Sequence, residues 1–315
     1  MSTRKSVAIA FAALTAAALS TVAAAPAQAA PVCGGAGQPT AVVASVPGAA
    51  LEGLTMDAAG RAFVTDLVSG QVFRIDAPGA PAVPIARVPS GGAGGLAWLP
   101  DGRLLVGYGA GLQVLGGDSN RQAGIVTVDP DTGAMAPFAS GLSAADGLAV
   151  AHDGTVYATN DFANLIGRVY PNGVVQADWA SFPSANGAVL SQDDAYLYVS
   201  RTFVNPGVSR IPTNAPWAPQ SLLDLGGDIT AAPDGLTLDS LQRPVLPFNP
   251  SGQVVRIDAP GQSCVLGFGP QLTSEVQYGR GAQGFSAGRL FAITFTGLVY
   301  EVPGGFDPNG VTATP

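Results

Sequence analysis

Short runs in which apolar and polar residues alternate, each opened by a glycine, recur along the chain. Val72-Phe73-Arg74-Ile75 and Val299-Tyr300-Glu301-Val302 are two of them, and Gly70, Gly124, Gly167, Gly207, Gly252 and Gly297 open six in all. A period of two marks a half-buried strand. Ahead of these runs lie segments richer in β-branched and aromatic residues, such as Ala62-Phe63-Val64-Thr65, Val156-Tyr157-Ala158-Thr159 and Tyr196-Leu197-Tyr198-Val199. Turns are expected at Ala59-Gly60, Asp101-Gly102, Asp153-Gly154 and Asn172-Gly173, because tight hairpins need the positive φ that Asn-Gly and Asp-Gly supply. Fourth strands are read at 85–88 and 136–139.

The pattern repeats. Gln71-Val72-Phe73-Arg74-Ile75-Asp76-Ala77-Pro78-Gly79 returns as Gln253-Val254-Val255-Arg256-Ile257-Asp258-Ala259-Pro260-Gly261, an offset of 182 with one difference in nine. At the same offset Glu52-Gly53-Leu54-Thr55-Met56-Asp57 matches Asp234-Gly235-Leu236-Thr237-Leu238-Asp239. The "x-Gly-apolar" signature also occurs at Gly94-Gly95-Leu96, Asp146-Gly147-Leu148, Asn186-Gly187-Ala188 and Gln283-Gly284-Phe285, with successive spacings of 42, 52, 40, 48 and 49 residues. Units of this length holding four short antiparallel strands are propeller blades. The expectation is an all-β chain forming one six-bladed β-propeller domain over 30–315.

Before that domain, Arg4 and Lys5 precede an apolar run from Val7 to Val22 and a small-x-small site at Ala27-Gln28-Ala29. Residues 1–29 therefore read as a secretory signal peptide, and the protein as secreted, extracellular or periplasmic, with no membrane attachment after cleavage. Two cysteines in an exported chain, Cys33 and Cys264, are expected to pair. Closing so long a loop stabilises the fold by about 4–5 kcal/mol on the chain-entropy account.

Charge and composition narrow the chemistry. The chain carries 14 basic and 22 acidic residues, a net charge of −8, so a nucleic-acid partner is excluded by repulsion. Lys5 is the only lysine and His152 the only histidine. Schiff-base catalysis, phosphate loops and multi-histidine zinc sites have no residues to work with.

The first strand of a propeller blade lies innermost, so the residue ahead of its glycine sits near the axis. The six positions read Glu52, Gly94, Asp146, Asn186, Asp234 and Gln283. Three carboxylates converging on one axis resist ionisation unless a cation neutralises them, and with oxygen donors alone the cation is a hard divalent one, Ca2+ before Mg2+. Asp and Asn before Gly are also ordinary turn residues that cap backbone amides. That account fits Glu52 and Gln283 poorly.

Leu51-Glu52-Gly53, the segment Ala185 to Asp194 that begins Ala185-Asn186-Gly187-Ala188, and Pro233-Asp234-Gly235-Leu236-Thr237-Leu238-Asp239 together resemble the gluconolactonase and regucalcin family of six-bladed propellers. The resemblance runs from about Glu52 to Val302. It implies Glu52, Asn186 and Asp234 as ligands of one divalent ion, with Asp234 also activating water. Sugar-lactone members carry Arg-x-Asn-Asp-Gly at the third blade, whereas this chain has Ser143-Ala144-Ala145-Asp146-Gly147. Less polar lactones are accordingly expected to outperform sugar lactones.

Several features are weighed at the margins of that site. Asp66, Tyr108, Asn160, Asp161, Arg201 and Phe248 are candidate rim contacts, since the loop after each second strand returns to the ring's face. The second blade carries some ten extra residues over Gly107 to Arg121, a candidate cover. Gly284-Phe285-Ser286-Ala287-Gly288 matches a nucleophile elbow but lacks the helix and the histidine base, and His152 falls at a turn on the opposite face. The leading expectation is a monomeric, Ca2+-dependent hydrolase of lactones or esters acting on a small molecule, with Asp234 or Asp146 activating water. The alternatives are a non-catalytic propeller braced by calcium that binds a ligand or protein, and an enzyme of another class.

Overall fold

The computed structural model describes residues 30–310, so the signal peptide expected over residues 1–29 lies outside the described residues. Six four-stranded antiparallel sheets form a six-bladed β-propeller. From the axis outward, blade 1 holds Leu51–Met56, Ala62–Asp66, Gln71–Ile75 and Ala82–Arg87. Blade 2 holds Ala93–Trp98, Leu104–Tyr108, Ala123–Val128 and Met135–Leu142, and blade 3 Leu148–Val150, Val156–Ala158, Leu165–Val169 and Val175–Ser181. Blade 4 holds Ala185–Leu190, Tyr196–Arg201, Gly207–Pro212 and Gln220–Asp224, and blade 5 Thr237–Leu238, Pro244–Phe248, Gln253–Ala259 and Gln262–Phe268.

Blade 6 departs from the sequence expectation in two ways. Its inner strand is Thr273–Tyr278, followed by Leu290–Thr294 and Leu298–Glu301, so Gln283 lies in the connection between the first two strands rather than at the axis. The backbone carbonyl of Gln283 packs against Gly60 of blade 1, at the turn on the face opposite the ring. Its outermost strand is Ala41–Ser45, which runs antiparallel to Leu298–Glu301 and joins the start of the described chain to its end. Pairing the two ends gives the sheet edge a hydrogen-bonded partner.

The alternation read in the sequence becomes a packing rule. Side chains of one strand leave its sheet on opposite faces, so each strand contributes to the seams on both sides. Ala62 and Val64 pack towards Phe291 and Val299 of blade 6, whereas Phe63 packs towards Leu104 and Val126 of blade 2. Each pair of adjacent blades encloses one such apolar cluster, and Cys33 and Cys264 lie in the one between blades 5 and 6. The two cysteines form a disulfide across 231 residues, as expected from the sequence. Among the described residues no helix is long and apolar enough to cross a membrane.

Candidate functional site

Close approach at the axis explains the recurring glycine. A Cβ on Gly53 would lie 2.6 Å from the carbonyl oxygen of Gly94, and one on Gly147 would lie 2.5 Å from that of Asn186. No larger residue fits there. Hydroxyls on the second strands fasten neighbouring inner strands together. Thr65 Oγ1 accepts the Gly53 N–H at 2.7 Å and donates to the Gly94 carbonyl at 2.7 Å; Ser200 Oγ accepts the Gly187 N–H at 2.9 Å and donates to the Asp234 carbonyl at 2.6 Å. Thr159 does the same between Gly147 and Asn186. Gly94, Asn186 and Asp234, each the residue ahead of its glycine, are thus tied through their carbonyls to the preceding blade, and four residues at that place carry side-chain oxygens.

Those residues are Glu52, Asp146, Asn186 and Asp234, only 8, 7, 5 and 4% exposed, and all four line a cavity of about 200 Å³ at one end of the axis. Asn249 Nδ2 donates to Asp234 Oδ2 at 2.7 Å, and Asn186 Nδ2 donates to Thr202 Oγ1 at 2.9 Å. Glu52 Oε2, Asp146 Oδ2 and Asp234 Oδ1 are buried without a hydrogen-bond partner. An orphaned carboxylate oxygen is costly, and three on one cavity floor are unusual in a folded protein.

Burial pushes the Asp146 carboxyl up to about 7. Burial, and then the charges of Asp146 and Asp234, hold Glu52 well above the ordinary carboxylate range. Burial and Asp146 raise Asp234 against the opposing hydrogen bond from Asn249. Asp161, also on the cavity wall, is raised by burial and by Asp146 and Asp234. Mutual repulsion of this kind is relieved by a proton or by a cation. Among the described residues no three His, Cys, Asp or Glu side chains already stand at metal-ligand spacing. The donor set is instead carboxylate and amide oxygen together, which fits a hard cation with a flexible coordination sphere.

Of the six loop positions expected at the rim, four are displaced from the cavity by one residue and Tyr108 by two. Asp66 turns back to accept the N–H groups of Ala50 and Val68 at 3.0 Å each. Asn160 Oδ1 accepts the Phe162 N–H, and its Nδ2 reaches Ser143 Oγ at 3.2 Å. Tyr108 lies against Gly124, the Arg201 guanidinium lies over the Phe182 ring at 5.6 Å, and Phe248 packs in the seam between blades 4 and 5. None of these five lines the cavity; Asp161 does. The wall is made by the next position along, Leu67 in blade 1, Asp161 in blade 3, Thr202 in blade 4, Asn249 in blade 5 and Phe295 in blade 6, with Ala110 near that place in blade 2. Neighbouring positions on an extended chain point opposite ways, so one residue of error moves a side chain from the cavity into the seam.

Glu275 was not recognised from sequence. Thr273 pairs with Thr294 as Leu51 pairs with Asp66, which puts Glu275 where the other five blades carry glycine. Its carboxyl carbon lies 2.3 Å from where a Cβ on Gly235 would stand, so blade 5 keeps the glycine and blade 6 fills the gap. Burial raises the Glu275 carboxyl well above its ordinary range, with smaller contributions from Asp234 and Asp146. It faces the wider funnel at the opposite end of the axis, where His152, with its side chain 76% exposed, holds Asp194 at 2.9 Å. Ser286 lies in the connection between the first two strands of blade 6, away from the cavity.

No protein-family model matches the chain, and no curated protein resembles it in sequence. Solved structures do resemble it. A calcium-binding protein, regucalcin, from Agrobacterium tumefaciens is 19% identical with a TM-score of 0.65, covering 90% of this chain and 98% of that one. A gluconolactonase from Xanthomonas campestris is 18% identical with a TM-score of 0.64, covering 89% and 99%. Virginiamycin B lyase from Staphylococcus aureus is 14% identical with a TM-score of 0.54, covering 81% and 84%. The chain shares the fold of gluconolactonase- and regucalcin-like propellers. Because a lyase stands among the same likenesses, the fold does not choose the chemistry.

Proposed function

We propose that the protein is a metal-dependent hydrolase of lactones or esters, exported from the cell and acting on a small molecule at the axial cavity. The single observation that carries this reading is the set of orphaned, buried oxygens on Glu52, Asp146 and Asp234, beside the amide of Asn186. Glu52, Asn186 and Asp234 would hold one divalent cation, calcium by its tolerance of mixed carboxylate and amide donors. When bound, that ion supplies Lewis-acid polarisation of a carbonyl oxygen.

The chain's own residues do the rest. Asn249 orients Asp234 through Oδ2 and leaves Oδ1 without a partner, while Thr202 orients the Asn186 amide. Asp146 supplies a further free oxygen, Oδ2, able to take a proton from an attacking water, and Asp234 is the second carboxylate available for that step. Apolar side chains around the floor exclude bulk water. With no serine or cysteine among the described residues lining the cavity, attack by water on a strained or activated carbonyl is favoured, and amides are expected to be inert.

The test is hydrolysis of a panel of lactones, aryl esters and amides with and without calcium, comparing the wild type with Asp234→Asn. Calcium-dependent turnover of lactones or esters that fails in the variant supports the reading. No turnover of any panel member by the calcium-supplemented wild type defeats it.

A further inference from the structure

The cavity is two-sided. Across blades 3 to 5 its wall mixes Asp161, Thr202 and Asn249 with Phe162 and Phe203, whereas across blades 6, 1 and 2 it is apolar throughout, with Phe295, Leu67 and Ala110. Leu67 and Ala110 belong to a small apolar cluster against which Phe295 packs, so this wall is continuous rather than a scatter of side chains. The long blade 2 connection adds to it. Residues Leu112–Ser119 form two short 3-10 turns, and Leu112 and Leu115 line the cavity while remaining 49 and 53% exposed. Phe162 and Phe203, stacked at 4.8 Å between ring centroids, line the same cavity.

The cover is fastened rather than loose. Asp118 accepts three hydrogen bonds from blade 3, from the Asn164 N–H at 3.0 Å, the Asn164 side-chain amide at 3.2 Å and the Leu165 N–H at 3.1 Å. Half-exposed leucines fixed over a cavity gain contact only when something apolar fills the space between them. Hydroxyls placed against such a wall would lose water without finding a partner, a large penalty per group.

We propose that the substrate of this site is a lactone or ester whose non-reacting part is apolar, an aryl ring or a short alkyl chain, and that Leu112 and Leu115 set this preference. The proposal rests on the hydrolase reading above for its reacting group, and on the wall itself for its apolar part. The carbonyl would face the carboxylate and amide side, with the apolar part lying against Leu67, Phe295 and the cover. A polyhydroxylated lactone is the disfavoured substrate. At about 200 Å³ the cavity is smaller than the roughly 300–1,000 Å³ of drug-sized pockets, which limits the apolar part to a compact group unless the cover lifts.

The experiment compares γ-lactones bearing hydrogen or n-alkyl chains of increasing length, with gluconolactone as the polyol, in the full chain with calcium. The matched γ-lactams, inert to hydrolysis, are titrated calorimetrically in parallel. For the wild type, kcat/KM and lactam affinity should each rise about fourfold per methylene over the first few carbons, the factor that follows from burying one CH2, and then level off. In Leu112→Ser/Leu115→Ser, whose folding is checked by thermal melting, the slope should flatten. A flat or falling series in the wild type, or an unchanged slope in the double variant, overturns the proposal. Lactams that gain affinity while no lactone is hydrolysed would leave the apolar subsite standing and remove the hydrolase reading; turnover without a chain-length slope would do the reverse.

Discussion

The two halves of the cavity are built on the same strand scaffold and differ in the side chains that scaffold delivers and in the long blade 2 connection added to one of them. At the position just beyond the second strand, blades 3, 4 and 5 present Asp161, Thr202 and Asn249, and blades 6 and 1 present Phe295 and Leu67. On the polar half these side chains support the floor, since Thr202 and Asn249 each bond a residue of the axial ring. On the apolar half they are hydrocarbon side chains that offer only contact area. One face can therefore hold charge in place while the other offers an apolar surface.

Breaking the polar half should have the largest effect. Glu52→Gln, Asn186→Ala and Asp234→Asn are each expected to lower kcat/KM for any accepted lactone by at least about 10²-fold, the scale of losing an acid-base or charge-stabilising group. Steady-state kinetics at saturating calcium checks this, with retained circular dichroism showing that the fold survives.

Next in size is the dependence of stability on cation and pH. Buried carboxyls with raised pKa values favour the folded state in their protonated form. Their stabilising effect is complete below the unfolded value, an ordinary 3.8 for Asp, and is lost as pH rises through the folded value, about 7 for Asp146. The chelated protein should accordingly lose melting temperature between about pH 4 and pH 7, and calcium should restore it most at the upper end. Asp234→Ala, with one carboxylate fewer, should respond less to chelator. Melting curves with equal chelator response in both proteins would tell against a cation at the ring.

Loosening the apolar half should act more gently and on binding. Asp118→Ala removes the latch between the cover and blade 3, so KM should rise a few-fold with kcat little changed. Shortening Gly107 to Arg121 to the length of the other blades should leave the fold stable and alter substrate range. Smallest of all, Ser286→Ala and His152→Ala should stay within about twofold of wild type, as expected for changes away from packed or charged groups.

Much of this architecture was legible in the chain. Strand period, Asp-Gly and Asn-Gly turns and the 182-residue offset were enough for six blades of four strands, and the scarcity of cysteine pointed to the Cys33–Cys264 pairing. Glu52, Asp146, Asn186 and Asp234 came from a single repeated signature, because a glycine demanded by close approach at the axis marks its neighbour wherever it recurs. The sixth blade broke the signature. Glu275 replaces the glycine there, so the nearest matching motif, Gln283-Gly284-Phe285, drew attention to a loop on the wrong face. The cavity wall was missed by one residue at Asp66, Asn160, Arg201 and Phe248 for a related reason, and by two at Tyr108, where the blade 2 connection is longer. Alternation along a strand identifies two faces but carries no label for which of them meets a neighbouring blade and which meets the cavity. That label, like the closing of blade 6 by Ala41–Ser45 and the apolar wall assembled from Phe295, Leu67 and Leu115, depends on how the sheets are rotated about a common axis. Local sequence specifies the strands; only the packed ring of six decides what they face.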